Sequence, residues 1–361
     1  MEPVDVLIVT AIKAEFEAVK AGIREWTPDD ADVACPYLRG AYLCTDGRRL
    51  SVALARPTRM SGRHASPLAT TLSARLRPGC LAMAGVCAGN PAEVALGDVV
   101  VAEMTYQFDE GKLTADGFVG DHRQYQLDGR WIRAAQDLDP AALPSYGPAS
   151  AGEVTNWLLE RLYLGLEPTR HPAFDRYFPP GTWLPRTAAI ESDGLITRAG
   201  PGWALTDAGR LHIERVRYDD VDGPERLPFA VAVAPMASGN YVAKDGGSWE
   251  RLKAMGVRTV AGLDMEAATI ATVAEAQQVP RWLVVKGVMD HADPAKDDRY
   301  KRFAARASAE VLYALLDQLA APTPGGGETT AGAASRYAVT IGGAQGVQIG
   351  DRNEQHNIFG A

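Results

Sequence analysis

Short apolar segments followed by helical patterns recur along this chain of 361 residues, and they constrain the fold more than any other feature. Val4 to Thr10 is an apolar run with an amphipathic helical pattern after it, and Leu50 to Leu76 repeats this order. The order returns near the end, where Trp282 to Lys286 precedes a long helical segment. Strands that are apolar along their whole length predict a sheet that helices cover. The sequence therefore predicts an α/β sandwich around a largely buried sheet.

The middle of the chain, from about residue 109 to residue 228, breaks this alternation and is rich in Trp, Tyr, Arg and Pro. One helix is predicted from Val154 to Leu164, and residues 190–216 have the pattern of a hairpin followed by a helix. That order is faintly similar to a winged helix, but we favour an insertion that packs on the main domain or on a dimer partner. Because α/β segments flank it, residues 1–320 are predicted to form one domain with an insertion.

Composition narrows the functional classes. The formal net charge of −8 disfavours bulk electrostatic binding of nucleic acid or of an anionic membrane. The opening segment MEPVDVLIVT lacks the basic flank of a secretory signal, and no apolar run approaches the roughly 20 residues that span a bilayer. The cysteines lack metal-binding spacing, which favours reduced structural thiols over a zinc site: Cys35, Cys44, Cys80 and Cys87. We therefore expect a cytoplasmic protein without a metal, a membrane partner or a nucleic-acid partner.

Carboxylates occur where α/β enzymes place their sites, at strand ends and helix starts. Glu15 follows the first strand, Glu266 opens a helix, and Asp290 ends a strand. Each has a simpler explanation when it is taken alone, because acidic side chains cap and stabilise helix N-termini and turns. Their flanking residues make the combination more informative than any one of them.

Five segments carry a resemblance to a known enzyme superfamily and occur in its order: TAIKAE (10–15), AGVCAGNPAEVALGDVVVA (84–102), SGNYVAKD (238–245), LDMEAATIA (263–271) and VVKGVMDHAD (284–293). Together they resemble the purine nucleoside phosphorylase/uridine phosphorylase superfamily. The resemblance is greatest to its hydrolytic branch, the methylthioadenosine/adenosylhomocysteine nucleosidases and related nucleotide hydrolases. It implies a three-layer α/β/α sandwich around a mixed central sheet, a homo-oligomer of two or more subunits, and no cofactor.

The resemblance also implies an activity, which is hydrolysis of the bond between a purine and ribose. Asp290 matches the aspartate that protonates purine N7, and Glu15 matches the carboxylate that positions and deprotonates the attacking water. Glu266 matches the group that binds the ribose hydroxyls, with Met265 packed against the sugar. The remaining matches line the base and the ribose: Val86, Cys87, Ala88, Asn240, Tyr241 and Val242.

Departures from the family pattern change the expected substrate. Val242 stands where the methylthioadenosine enzymes usually carry a stacking phenylalanine, Met289 replaces a common serine, and the middle segment is far longer. The segment 56–64 offers arginines before a helix, where a helix N-terminus attracts anions: Arg56, Arg59 and Arg63. We therefore expect a nucleotide with a 5′-phosphate or triphosphate. The alternative for this segment is a solvated basic loop.

Other functions stay open at the level of the sequence. The arginines are compatible with phosphorolysis, although Glu15 favours water as the nucleophile. A catalytically silent nucleotide-sensing scaffold would use the same pocket, but it would not need Glu15. A nucleic-acid binder built on the middle segment is disfavoured by the negative net charge.

The C-terminal region has a different character from the rest of the chain. Residues 321–336 are mostly Pro, Gly, Thr and Ala, which predicts a flexible linker. Residues 337–361 resemble the RIP homotypic interaction motif and its bacterial amyloid-signalling relatives in a short core: Val347, Gln348, Ile349, Gly350 and Asn353. Alternating aliphatic and amide side chains favour in-register β-stacking. The resemblance implies an effector enzyme recruited by a sensor with a similar motif. A disordered tail and a strand docked on the core are the alternatives.

Overall fold

The computed structural model describes residues 2–29, 35–115, 117–219, 223–241, 246–257, 259–294 and 298–320. Its strands are β1 (Val6–Val9), β2 (Trp26–Asp29), β3 (Tyr37–Leu43), β4 (Arg49–Ala55), β5 (Cys80–Gly89), β6 (Val99–Gln107), β7 (Gly111–Thr114), β8 (Gly117–Gly120), β9 (Gln124–Gln126), β10 (Ile196–Ala199), β11 (Gly202–Leu205), β12 (Val231–Ser238), β13 (Gly262–Asp264) and β14 (Trp282–Asp290).

The α-helices are α1 (Lys13–Ala21), α2 (Gly62–Leu76), α3 (Gly129–Gln136), α4 (Ala151–Tyr163), α5 (Phe174–Tyr177), α6 (Trp183–Ser192), α7 (Asp207–Asp219), α8 (Ser248–Ala254), α9 (Ala267–Ala276) and α10 (Lys301–Ala320). None of the helices in the described ranges combines the length and the apolar character that crossing a bilayer requires. The predicted linker 321–336 and the motif 337–361 lie outside the described residues.

The central sheet is mixed, with the strand order β13-β12-β6-β14-β5-β1-β4-β3-β2 and with β9 paired to β6. β1 is parallel to β4 and to β5, and β5 is parallel to β14, whereas β14 is antiparallel to β6. β13 pairs with β12 and also with β5, so that the strands β5, β14, β6, β12 and β13 close into a ring. This ring brings the ends of β5, β13 and β14 together.

Helices cover the sheet in two groups. α1, α3 and α10 pack together against the sheet, and α2 and α9 form the other contacting pair. The apolar strand β1 is wholly buried between these elements, as is nearly all of β14. The predicted α/β sandwich around a mixed sheet is therefore confirmed.

The middle of the chain contains a small unit with its own apolar core. α4, α6 and α7 surround the antiparallel hairpin β10–β11, and buried aromatic and aliphatic side chains fill the centre: Trp157, Leu158, Tyr177, Phe178, Ile190, Ile196 and Ile213. The predicted helix and the predicted hairpin followed by a helix are both present. We call residues 151–219 the insertion unit. Residues before it behave differently, because β9 joins the main sheet and α3 packs on it.

Two predicted strand limits are wrong. The sequence of residues 259–262 predicts a strand, but β13 begins only at Gly262. The carbonyl oxygens of Val260 and Ala261 accept hydrogen bonds from the Nδ2 and the backbone N–H of Asn90, while the N–H of Ala261 donates to Pro235 of β12. Residues 229–234 predict a second strand from their apolar pattern, but β12 begins at Val231, because the N–H of Ala230 donates to the Asp98 carboxylate.

Candidate active site

The predicted catalytic residues and several of the predicted binding residues gather at the carboxyl end of β5. The sequence predicts a strand that ends at Ala84 and a loop after it, but β5 continues to Gly89. Asp290 of β14 pairs with Ala88 on one edge, and Leu263 of β13 pairs with Ala88 on the other. The loop prediction is wrong because both neighbouring strands supply partners for the backbone of this small-residue segment.

Glu15 lies in the first turn of α1 and is only 2% exposed. Its Oε2 accepts hydrogen bonds from the backbone N–H groups of Ala11 (2.7 Å) and Ile12 (3.0 Å), which cap the helix. Its Oε1 accepts a third bond from the N–H of Val86 (2.8 Å), and this bond joins α1 to β5. A carboxylate can accept about four hydrogen bonds, so Glu15 retains capacity for one water molecule.

Glu266 precedes α9 and shares a buried cation with a second carboxylate. Its Oε1 accepts a hydrogen bond from the N–H of Ser61 at 2.7 Å. The Nζ of Lys286 lies 3.0 Å from Oδ2 of Asp264 and 3.6 Å from Oε2 of Glu266. Asp264 also accepts a hydrogen bond from the Ser238 hydroxyl at 2.7 Å and caps α9 through the N–H of residue 267.

The protonation of Glu266 follows from this arrangement. Burial raises the pKa of Glu266 to about 7, and the Lys286 ammonium opposes that shift only in part. Burial lowers the pKa of Lys286, but the Asp264 and Glu266 carboxylates outweigh burial and raise it above its ordinary range. Lys286 therefore stays charged and pairs mainly with the nearer carboxylate, Asp264. Glu266 can therefore change its charge near neutral pH.

Asp290 ends β14 and is 4% exposed. Its Oδ1 accepts a hydrogen bond from the N–H of Ala292 at 2.8 Å. The thiol of Cys87 lies among the charged groups: burial raises its pKa, the carboxylates of Asp264, Asp290 and Glu15 add to this shift, and Lys286 opposes it. Glu15, Glu266 and Asp290 are therefore gathered around the end of β5. Met265, Val86 and Ala88 are half-buried beside them.

The arginine segment lies next to Glu266. Besides the bond from Ser61, the N–H of Gly62 donates to the carbonyl of Met265 at 2.8 Å, so this segment is fixed to the start of α9. The side chains of the predicted anion-binding residues are exposed: Arg56, Arg59 and Arg63. A buried carboxylate and exposed cations thus adjoin, an arrangement that can hold a sugar with an anionic substituent.

The predicted base-binding residues are only partly accounted for. Asn240 is exposed, and its backbone N–H (2.9 Å) and Nδ2 (3.0 Å) both donate to Oδ2 of Asp109. Tyr241 packs edge-on against Phe108, with ring centroids 5.7 Å apart. The contacts of the described residues therefore do not join Asn240 to Glu15, Glu266 or Asp290. Val242 lies outside the described residues.

Solved structures with a similar fold include nucleosidases and a futalosine hydrolase. The 5′-methylthioadenosine/S-adenosylhomocysteine nucleosidase of Neisseria meningitidis, in complex with methylthio-immucillin-A, has a TM-score of 0.53 at 15% identity, over 87% of this chain and 98% of that chain. The enzyme of the same name from Colwellia psychrerythraea, in complex with adenine, has a TM-score of 0.54 at 14% identity, over 88% and 96%. Futalosine hydrolase of Helicobacter pylori has a TM-score of 0.51 at 14% identity, over 87% and 97%. The chain has the nucleoside phosphorylase-like fold.

The sequence comparisons add less than the fold does. No family model matches the sequence. An uncharacterized protein of Sinorhizobium fredii, y4jS, is 24% identical over 251 residues, which are 67% of this chain. The chain spans less than half of that relative, 44% of its length.

Sequence reasoning missed three charged or titratable residues at this end of the nucleoside phosphorylase-like sheet: Asp264, Lys286 and His291. Lys286 had a usable signal, because a lysine inside the apolar run VVKGV is expected to need a buried partner. Its partner Asp264 lies 22 positions earlier on another strand and carries no comparable signal. Among the described residues, no three His, Cys, Asp or Glu side chains are grouped as metal ligands.

Proposed function

We propose that this protein is a nucleosidase that hydrolyses the purine–ribose bond of an adenine nucleoside or, preferentially, an adenine nucleotide. The observation that carries the proposal is the gathering of buried carboxylates around the end of β5, with exposures of 2% for Glu15, 4% for Glu266 and 4% for Asp290. Structures of similar fold include nucleosidases, one in complex with adenine and one with methylthio-immucillin-A.

The proposed mechanism gives each carboxylate one task. Asp290 donates a proton to N7 of the purine while the C1′–N9 bond breaks, and the bonding electrons leave with the base. Glu15 takes a proton from a water molecule while the water oxygen bonds to C1′, which has cationic character at that stage of the reaction. The products are the free base and a ribose with a hydroxyl at C1′. The proton released to Glu15 balances the one that Asp290 gave.

The cluster around Glu266 suits ribose binding. An ionised Glu266 would accept hydrogen bonds from the ribose hydroxyls, and its negative charge would stabilise the developing cation at C1′. Lys286 pairs more closely with Asp264, at 3.0 Å, than with Glu266, at 3.6 Å. The Lys286 ammonium therefore neutralises Asp264 first and leaves charge on Glu266 for the sugar.

The arginine segment supports a nucleotide over a nucleoside. Ser61 and Gly62 bond to Glu266 and Met265 through their backbone N–H groups, so that Arg59 and Arg63 adjoin the proposed ribose site. Guanidinium groups bind phosphate oxygens through charge-assisted, often bidentate hydrogen bonds. A 5′-phosphate or triphosphate is the substituent that this segment would recognise.

The test is chromatography of the products after incubation with ATP, AMP, adenosine and methylthioadenosine, each with and without inorganic phosphate. We expect free adenine from the nucleotides in both buffers, and a ribose product with a free C1′ hydroxyl. Ribose 1-phosphate that forms only with phosphate would instead establish a phosphorylase. Absence of free base from every purine compound would contradict the proposal.

Asp290→Asn is the decisive variant, because it keeps the shape and cannot donate the proton. We expect kcat to fall by about 10²–10⁴-fold. Asp46→Asn is the matched control, since Asp46 lies on an exposed turn where it pairs with Arg48. Equal activity in the two variants would remove Asp290 from the mechanism.

We also propose that the C-terminal segment recruits the enzyme to a sensor with a similar motif, as an effector that destroys a nucleotide pool. The support for this is the sequence of residues 347–353, in which Val347 and Ile349 flank the amide side chain of Gln348 and Asn353 follows. Bacterial or fungal immune defence is the setting we propose for such an effector.

A further inference from the structure

His291, the residue after Asp290, is held at both nitrogens of its ring. Its Nδ1 lies 2.7 Å from the carbonyl oxygen of Gly89, the last residue of β5. Its Nε2 lies 3.2 Å from Nη2 of Arg161, which belongs to α4 of the insertion unit. His291 is 4% exposed and Arg161 is 1% exposed, so both contacts are inside the protein.

The chemistry of arginine fixes the state of this histidine. A guanidinium group only donates hydrogen bonds, so Nε2 of His291 must be the acceptor. Nδ1 then carries the proton and donates it to the Gly89 carbonyl. Burial, with help from the positive charge of Arg161, holds the pKa of His291 well below its ordinary value, which keeps the ring neutral and Nε2 able to accept.

The turn that follows Asp290 is held at several points. The Asp290 carboxylate accepts from the N–H of Ala292, and Ala292 has a φ of 57°, a left-handed conformation that costs free energy for a residue with a Cβ atom. The indole N–H of Trp249 donates to the carbonyl of His291 at 2.9 Å. A strained turn persists only when its surroundings fix it. The Arg161–His291–Gly89 chain is one such constraint, and it acts on the residue that directly follows Asp290.

We infer that Arg161 and His291 are positioning residues, through which the insertion unit holds Asp290 in its reactive place. The inference rests on the proposed function of Asp290. Neither residue needs to touch the substrate. Arg161 fixes the ring of His291, and the ring ties the turn to Gly89 at the end of β5. The turn follows directly on Asp290, the proposed acid at the end of β14. The insertion unit is thereby part of the machinery for protonation and more than a surface addition.

The experiment compares Arg161→Met, Arg161→Lys and Arg176→Met in the full chain. Arg176 is the matched control, because it also joins the insertion unit to the main domain, through a bidentate pair with Asp98 at 2.5 and 2.8 Å. We expect kcat of Arg161→Met to fall on the order of 10²-fold with KM nearly unchanged, since small displacements of a reacting group have effects of that size. Arg161→Lys keeps the charge and a donor, so it should recover part of kcat. Arg176→Met should lower Tm with kcat unchanged.

Equal kcat in Arg161→Met and the wild type would overturn the inference, as would an equal loss of kcat in Arg176→Met. His291→Phe provides a second route if Arg161→Met does not fold. It removes both ring hydrogen bonds, and we expect the same fall in kcat with KM nearly unchanged. Where both variants fold, the double variant should lose no more activity than one of them, because residues that act in series are not additive. If the losses of kcat in the two single variants added up in the double variant, Arg161 and His291 would not act in series.

A measurement independent of activity separates this inference from the proposed function. Nitrogen NMR of the histidine rings should show His291 protonated at Nδ1 and not at Nε2 across neutral pH, and Arg161→Met should change both signals. A wild-type chain that releases no base would refute the nucleosidase proposal. His291 signals that are the same in Arg161→Met and in the wild type would instead refute the contact between Arg161 and His291.

Discussion

The absence of a side chain at Gly85 determines how closely the carboxylate of Glu15, the proposed general base, can approach β5. A Cβ atom on Gly85 would overlap the carboxylate of Glu15, so the β5 backbone approaches that carboxylate closely only without one. We expect Gly85→Ala to displace the Glu15 carboxylate from the proposed position of the attacking water and to lower kcat on the order of 10²-fold. Single-turnover release of adenine measures this.

Gly129→Ala is the matched control, because a Cβ atom at Gly129 meets nothing within 4 Å. It should leave base release unchanged. If Gly85→Ala were as active as this control, the contact between Glu15 and β5 would have no role in the reaction.

Glu266 should impose a pH dependence on activity. Its pKa is raised from 4.5 to about 7 by burial, and the proposed ribose contact needs the ionised form. We expect kcat/KM for adenosine to fall as the pH is lowered through about 7, and this acidic limb to disappear in Glu266→Gln. An unchanged limb in Glu266→Gln would assign the titration to another group.

The raised pKa of Glu266 also affects stability, and stability should change with pH in the opposite direction to activity. A carboxyl group whose folded pKa is raised binds its proton more tightly in the folded chain than in the unfolded chain. Its contribution to the free energy of unfolding is therefore fully present below pH 4.5 and is lost as the pH rises through about 7. Tm measured across this range should show that loss in the wild type and less of it in Glu266→Gln.

At the scale of elements, the sequence predicts strands and helices whose apolar pattern is local, and it fails where a partner elsewhere in the chain decides. β1, α2 and β14 have such local patterns and were predictable. The end of β5 was not predictable, because the segment GVCAGN (85–90) is extended by pairing to β13 and β14, which lie far along the chain. The half-buried strand β3 lacks clear alternation and gave no signal.

The candidate site divides in the same way. Glu15, Glu266 and Asp290 could be proposed from the motifs that surround them. Their geometry, and the link from Arg161 to His291 across 130 positions, depends on tertiary packing that no local pattern encodes. The lysine in β14 is the intermediate case, since its burial was predictable and its partners were not.

The arginine segment before α2 carries a prediction about substrate choice. Arg59→Gln and Arg63→Gln together should raise KM for AMP by on the order of tenfold while KM for adenosine changes little, because each removes a charge-assisted bond to phosphate. Arg48→Gln, on an exposed turn where it pairs with Asp46, is the control. Equal changes in KM for AMP and adenosine would show that the segment is a solvated loop.

At the scale of the whole molecule, the enzyme and its C-terminal segment should be separable. A chain that ends at residue 320 retains every described residue of the site, so we expect it to release adenine with the kcat of the full chain. Fibrils of a synthetic peptide covering residues 337–361 should capture the full chain in a sedimentation assay but not the shortened one. Ile349→Asp places a charge in the proposed stacking core and should abolish capture without altering kcat. If the shortened chain sedimented with the fibrils as well as the full chain does, capture would reside in the domain itself, and the tail would have no part in recruitment.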